Sequence, residues 1–145
     1  MNDWTYCKDE NPKESGDYIV TAITRKEKII KVYYYDKDTK WWWEYYEGID
    51  DRSRACAEVI AWKPCPEAFE ENVKKNKWNC CKDEEPKESG DYIVTVITRK
   101  KKIVRVYYYN ADNKWWWEYC EGIDDHFRSF DVIAWKLCPE AAEVK

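Results

Sequence analysis

Apolar and polar residues alternate along this chain at the period of a strand, and they do so in four bursts before the pattern begins again. The first burst is Tyr18 to Thr24, rich in β-branched residues, and the turn chemistry of Asn11-Pro12-Lys13-Glu14-Ser15-Gly16-Asp17 leads into it. The polar tip Arg25-Lys26-Glu27-Lys28 turns the chain into a second strand, Ile29 to Tyr35. Asp36-Lys37-Asp38-Thr39 supplies the next turn, Trp41 to Tyr46 the third strand, and a longer acidic loop from Glu47 precedes the fourth, Val59 to Lys63. Beyond Pro66 the expected element is a short helix. Proline suits a first helical position, Phe69 and Val73 share a face, and Glu70 with Lys74 and Glu71 with Lys75 are spaced as i,i+4 pairs.

The same text then repeats. Trp4 to Asp51 aligns without a gap on Trp78 to Asp125, and only eleven of those 48 positions differ. One residue is lost in the loop that follows. The match resumes at Val59-Ile60-Ala61-Trp62-Lys63 against Val132-Ile133-Ala134-Trp135-Lys136 and closes at Cys65-Pro66-Glu67-Ala68 against Cys138-Pro139-Glu140-Ala141. Two copies are too few for a solenoid. The expectation is a mainly β fold with short helices, of the α+β class. Its two tandem repeats would be a first with its helix, 1–76, and a second, 77–145, each a four-stranded antiparallel sheet or partly open barrel. Pro139 to Lys145 reads as a shortened copy of the helix.

Hairpin register divides the residues into faces. A four-residue loop at Asp36 to Thr39 would pair Tyr35 with Lys40, Tyr33 with Trp42 and Lys31 with Glu44, the last a cross-strand ion pair repeated as Arg105 with Glu118. Ile30, Val32, Tyr34, Trp41, Trp43 and Tyr45 then fall on one face, expected to be core. The opposite face carries Tyr33, Tyr35, Trp42 and Lys31, repeated as Tyr107, Tyr109, Trp116 and Arg105. These eight residues form the candidate ligand-binding set: aromatic rings edged with charge, a composition that marks an interaction site when exposed. The competing reading is that these faces pack on one another or beneath the helix after Pro66.

Composition sharpens the question. Each repeat carries five tryptophans, more than a 70-residue sheet needs for its core. A net charge of −4 argues against general nucleic-acid binding, and no apolar run approaches the length of a membrane helix. With no secretory pattern at the start, the expected compartment is the cytoplasm. Seven cysteines, an odd number with no C-x-x-C, are expected as reduced thiols serving as small hydrophobes, an intra-repeat Cys7–Cys65 bridge being the alternative.

Catalysis finds little material. His126 is the only histidine and has no counterpart in the other copy, and phosphate-cradling glycine loops and nucleophile motifs are missing. Asp50-Asp51 and Asp124-Asp125 read as solvated turns. Asp36-x-Asp38 fails as a calcium loop because Trp41 stands where glycine is required. No catalytic residue, metal or cofactor is assigned. Binding has better material, since a base stacked on an aromatic ring gains roughly 1–3 kcal/mol and Lys31 or Arg105 can meet phosphate.

The ends of each repeat, Trp-x-x-Cys-x-Asp-x-x-Pro and Val-Ile-Ala-Trp-Lys-x-Cys-Pro, carry a resemblance. They are similar to a small phage and prophage domain of unknown function that opens W-x-x-V-x-D-x-L-P and closes H-W-x-P-L-P. Cys7 and Cys81 stand where that domain often has valine, Cys65 and Cys138 where it has leucine, and Ala61 and Ala134 replace its histidine. The resemblance implies a phage accessory context and no reaction. The expected function is therefore a non-enzymatic counter-defence protein of the bacterial cytoplasm that sequesters a small nucleotide-type immune signal in aromatic pockets. Alternatives are an anti-CRISPR-like inhibitor that binds a host defence protein, and a structural accessory protein, with homo-oligomers possible in each case.

Overall fold

The computed structural model describes residues 3–25, 27–70, 77–99 and 101–143. Each repeat forms one six-stranded antiparallel sheet. In the first, β1 (Thr5–Tyr6), β2 (Gly16–Thr24), β3 (Glu27–Asp36), β4 (Trp41–Tyr46), β5 (Asp51–Arg54) and β6 (Glu58–Pro64) lie in the order β1-β6-β2-β3-β4-β5. The second repeats this with β7 (Asn79–Cys80), β8 (Gly90–Thr98), β9 (Lys101–Asn110), β10 (Trp115–Cys120), β11 (Asp125–Ser129) and β12 (Val132–Leu137), in the order β11-β10-β9-β8-β12-β7.

Three expectations are corrected here. The sheets have six strands rather than four: the added ones are the two-residue β1 and β7, and the outer strands β5 and β11 drawn from the polar loop. Their short runs lack apolar alternation, so only pairing with a neighbour makes them strands. The fold is all-β, with no helix among the described residues. Pro66 to Glu70 and residues 139–143 are irregular segments, while residues 71–76, where the rest of the expected helix lay, fall outside the described residues. The physical reason is that backbone groups of these segments bond to side chains of a sheet, as described below, instead of to one another. The third correction is register. Tyr34 pairs with Trp43, Tyr35 with Trp42 and Asp36 with Trp41, two residues away from the expected alignment, and β9 and β10 match this.

The loop behind that register is Lys37 to Lys40. Lys40 takes a left-handed φ of 65° and its N–H donates to the Asp36 carbonyl at 2.7 Å, closing the turn one pair later than expected. Lys114 does the same in the second copy. A shift of two preserves which residues share a face, because side chains alternate with period two. The grouping therefore stands, but the assignment of the core is largely overturned: Tyr33, Tyr35 and Glu44 are buried and Trp41 is exposed, while Val32 is buried as expected.

The chain forms two compact units. Unit 1 is Met1–Cys65, Cys120–Asp124 and Pro139–Lys145; unit 2 is Pro66–Tyr119 and Asp125–Cys138. Each unit thus includes a segment that follows the other repeat in sequence. In unit 1 the buried cluster gathers Val20, Ala22, Tyr33 and Ala57, with Tyr18, Trp42 and Trp62 packed against it. In unit 2 it gathers Tyr92, Val94, Val96, Tyr107, Tyr109, Trp116 and Trp135. Rings meet edge-on or tilted, as between Tyr18 and Trp62 at 5.2 Å and Tyr35 and Trp42 at 4.7 Å.

Candidate functional site: an aromatic and guanidinium face on each sheet

The residues singled out from sequence lie in the core. Tyr33 and Tyr35 are 1% exposed, Tyr107, Tyr109 and Trp116 are buried, and Trp42 is partly buried. Lys31 is partly buried and Arg105 buried. The exposed aromatic patch expected on this face is therefore replaced by a packed interior. Polar residues misled the assignment, because a face holding Lys31 and Glu44 read as solvated. Glu44 is in fact buried and its carboxylate accepts the backbone N–H of Glu121 at 2.9 Å and of Gly122 at 3.0 Å, all within unit 1. Lys31 reaches Glu121 at 3.8 Å. A buried carboxylate is tolerable when fixed N–H donors replace its water.

Tyr46 completes this cluster. Its hydroxyl lies 2.6 Å from Ser53 Oγ and donates to Glu44 Oε1 at 3.3 Å. Burial, opposed by the Ser53 hydrogen bond, pushes its pKa up to about 12. Gly122 sits so close that a Cβ there would run into the Tyr46 hydroxyl and approach Ser53 Oγ to 2.9 Å. The Tyr33 hydroxyl is buried without a hydrogen-bond partner among the described residues, and burial raises its pKa strongly.

The opposite face is open along β4 and β10, although Val32 and Val106 on the same face of β3 and β9 are buried. Trp41 is 39% exposed, Trp115 36% and Tyr119 42%, while Tyr34, Trp43, Tyr45, Tyr108 and Trp117 are half-buried. The outer strands that sequence reasoning missed bring the cations. Trp43 pairs with Arg54 and Tyr45 with Arg52 across β4 and β5. Diagonal neighbours then stack: the Arg54 guanidinium lies 4.1 Å from the Trp41 ring centre and that of Arg52 5.0 Å from Trp43. In the second sheet the Arg128 guanidinium is 3.8 Å from Trp115 and 4.4 Å from Phe130, and His126 stacks on Tyr119 at 5.1 Å. The result on each sheet is a row of rings and guanidinium planes facing solvent. The missed signal was Arg-x-Arg at 52–54 and the aromatic-basic run His126-Phe127-Arg128, both next to an aromatic strand.

A second pair of related sites lies at the other end of the sheets. A cavity of about 540 Å³ in unit 2 is bordered by Phe69, Cys80, Cys81, Ile97, Lys102 and Val132. Its counterpart in unit 1, bordered by Tyr6, Cys7, Ile23 and Val59, holds about 270 Å³. Tyr6 stands where the second copy has Cys80, and the larger side chain accompanies the smaller space. Burial pushes the thiol pKa of Cys7 up to about 11 and that of Cys81 up to about 12, so both are protonated hydrophobes at neutral pH. All seven cysteines are free; Cys120 is buried, Cys56 is exposed and the other five are half-buried. No cluster of potential metal ligands occurs among the described residues.

Comparison with protein families, with curated proteins and with solved structures finds no match to this chain.

Proposed function

We propose that this chain is a non-enzymatic binding protein that takes a protein partner on its two aromatic and guanidinium faces. The observation that carries this reading is the alternation of Trp41, Trp43 and Tyr45 with Arg54 and Arg52, reproduced with Trp115, Trp117, Tyr119, Arg128 and His126. Tryptophan, tyrosine and arginine dominate interface hot spots, because large rigid groups gain contact area while losing little entropy. An open sheet face suits an extended partner better than a small molecule, which needs a concave site around most of its surface. The acidic stretch Glu47 to Asp51, leading from β4 into β5, adjoins the first face and would repel a polyanion. The phage context implied by the repeat ends makes a host defence protein the expected class of partner, met in the host cytoplasm.

A second reading, a stacked nucleotide-type ligand, is favoured by one feature. Arg128 lies against both Trp115 and Phe130, so this part of the face already receives a planar group between rings. A base displacing the guanidinium would leave Arg128 to meet its phosphate.

One experiment separates the readings. The tagged chain is incubated with host extract and repurified; bound proteins are identified by mass spectrometry, and small molecules released by denaturation are chromatographed. Protein capture lost in the Trp41→Ala, Trp115→Ala double variant and kept in Leu137→Ser supports the first reading. Release of a nucleotide that the Arg128→Ala variant fails to retain supports the second. Binding unaffected by all of these changes overturns both.

A further inference from the structure

Each unit grips an irregular piece of chain by the same three kinds of side chain, and the shared contacts are all to backbone; in unit 2 Lys102 adds a bond to the Glu70 carboxylate at 2.9 Å. In unit 1 the Trp4 indole N–H donates to the Glu140 carbonyl at 2.9 Å. The Thr21 hydroxyl accepts the Ala142 N–H at 3.0 Å, and the Lys28 ammonium donates to the Ala142 carbonyl at 3.1 Å. In unit 2 Trp78 holds the Glu67 carbonyl at 3.0 Å, Thr95 the Phe69 N–H at 3.0 Å, and Lys102 the Phe69 carbonyl at 3.0 Å. A lysine stacks on the tryptophan in both: Lys63 on Trp4 at 4.7 Å and Lys136 on Trp78 at 4.8 Å.

The held segments, Pro139-Glu140-Ala141-Ala142 and Pro66-Glu67-Ala68-Phe69, differ at the very residue that is gripped twice. Alanine and phenylalanine are accepted alike because the contacts are to N–H and C=O. Thr21 and Thr95 are fully buried mid-strand, so their hydroxyls are prepaid acceptors for an incoming backbone N–H. A cavity of about 580 Å³ bordered by Asp3, Trp4, Lys63, Pro139 and Glu140 opens beside the start of the strap in unit 1, while Ala142 at its gripped end is buried.

We propose that the Trp4, Thr21 and Lys28 clamp is a peptide-binding site for the Pro139-Glu140-Ala141-Ala142 strap of a second copy of this chain. The strap of another copy presents the same atoms to the same groups. Only the high effective concentration of the chain's own strap favours the closed monomer, and vacating the clamp removes that advantage. This inference is independent of the aromatic faces.

The test uses the full chain carrying Ala142→Pro, which removes the N–H that Thr21 accepts. A synthetic peptide of residues 137–143 is expected to bind this variant about tenfold or more tighter than it binds the wild type, which fills its own clamp. A peptide carrying the same proline is expected not to bind. Mixed with a Thr21→Val, Lys28→Met chain, whose strap is intact, the Ala142→Pro chain is expected to form a 1:1 complex by light scattering. The proposal is overturned if the folded Ala142→Pro chain binds neither peptide, binds both equally, or stays monomeric in the mixture. Should that variant lose its sheet spectrum, restoration by the wild-type peptide alone supports the proposal, and no restoration overturns it.

Discussion

Three consecutive tryptophans sit on β4, and their two faces have opposite fates. Trp42 points with Tyr35 and Tyr33 into the packed cluster beside Tyr18 and Trp62. Trp41 and Trp43 point the other way, 6.0 Å apart, and are topped by Arg54 and Arg52 rather than by protein interior. Residue type is the same on both sides. The difference lies in what covers each face, and that is set by chain far away in sequence. On the buried side the cover includes Ala57 and the Glu121-Gly122 backbone; on the open side it is an outer strand only four residues long. An aromatic-rich strand is thus neutral between core and binding surface until its partners are known.

The sharpest way to break this comparison is to truncate either side. Trp42→Ala is expected to destabilise the protein by about 3–5 kcal/mol, as large-to-small changes in packed cores do. Trp41→Ala is expected to change stability by less than about 1 kcal/mol while weakening partner binding. Urea denaturation of both variants checks this, and equal losses would mean that the two faces do not differ. Gly122→Ala comes next. Its new methyl must displace the Tyr46 hydroxyl and disturb the Glu44 cluster, at an expected cost of about 1–3 kcal/mol in the same assay.

Alkali tests the thiols that burial protects. The pKa values of Cys7, Cys81 and Cys138 are raised from an ordinary 9.0 to about 11, 12 and 12. The unfolded chain loses these protons first, so this stabilisation is full below pH 9 and is lost as pH rises toward 11–12. The urea midpoint should fall across that window, and Cys7→Val should make the fall shallower. The smallest effect belongs to Tyr33→Phe. Removing a buried hydroxyl that has no partner should leave stability unchanged or raise it by about 1 kcal/mol, measured by thermal denaturation. A loss of that size would show that the hydroxyl is satisfied and the buried face more polar than its packing indicates.

Much of the architecture was legible in the chain. Period-two alternation and turn residues located β2, β3, β4 and β6 in both copies, because a strand writes its burial into alternate positions whatever it packs against. The repeat itself is likewise a property of the sequence. The outer strands were not legible, since Asp51–Arg54 and Asp125–Ser129 carry no apolar alternation and owe their extension to hydrogen bonds with a neighbour. At its described start, Pro66 to Glu70, the expected helix was a local pattern overruled from a distance: Pro66 suits a helix, but the sheet offered Trp78, Thr95 and Lys102 to the backbone of Glu67 and Phe69.

The candidate site followed the same division. Sequence alone determined which residues share a face, because alternation fixes this even when the register is wrong by two. It did not determine which face looks inward. That choice rests on Glu44, a charged residue that reads as solvated and is nonetheless buried, because the N–H groups of Glu121 and Gly122, 77 and 78 positions away, replace its water. The energy of a buried charge depends on donors brought by the fold, and no local pattern records where they will come from.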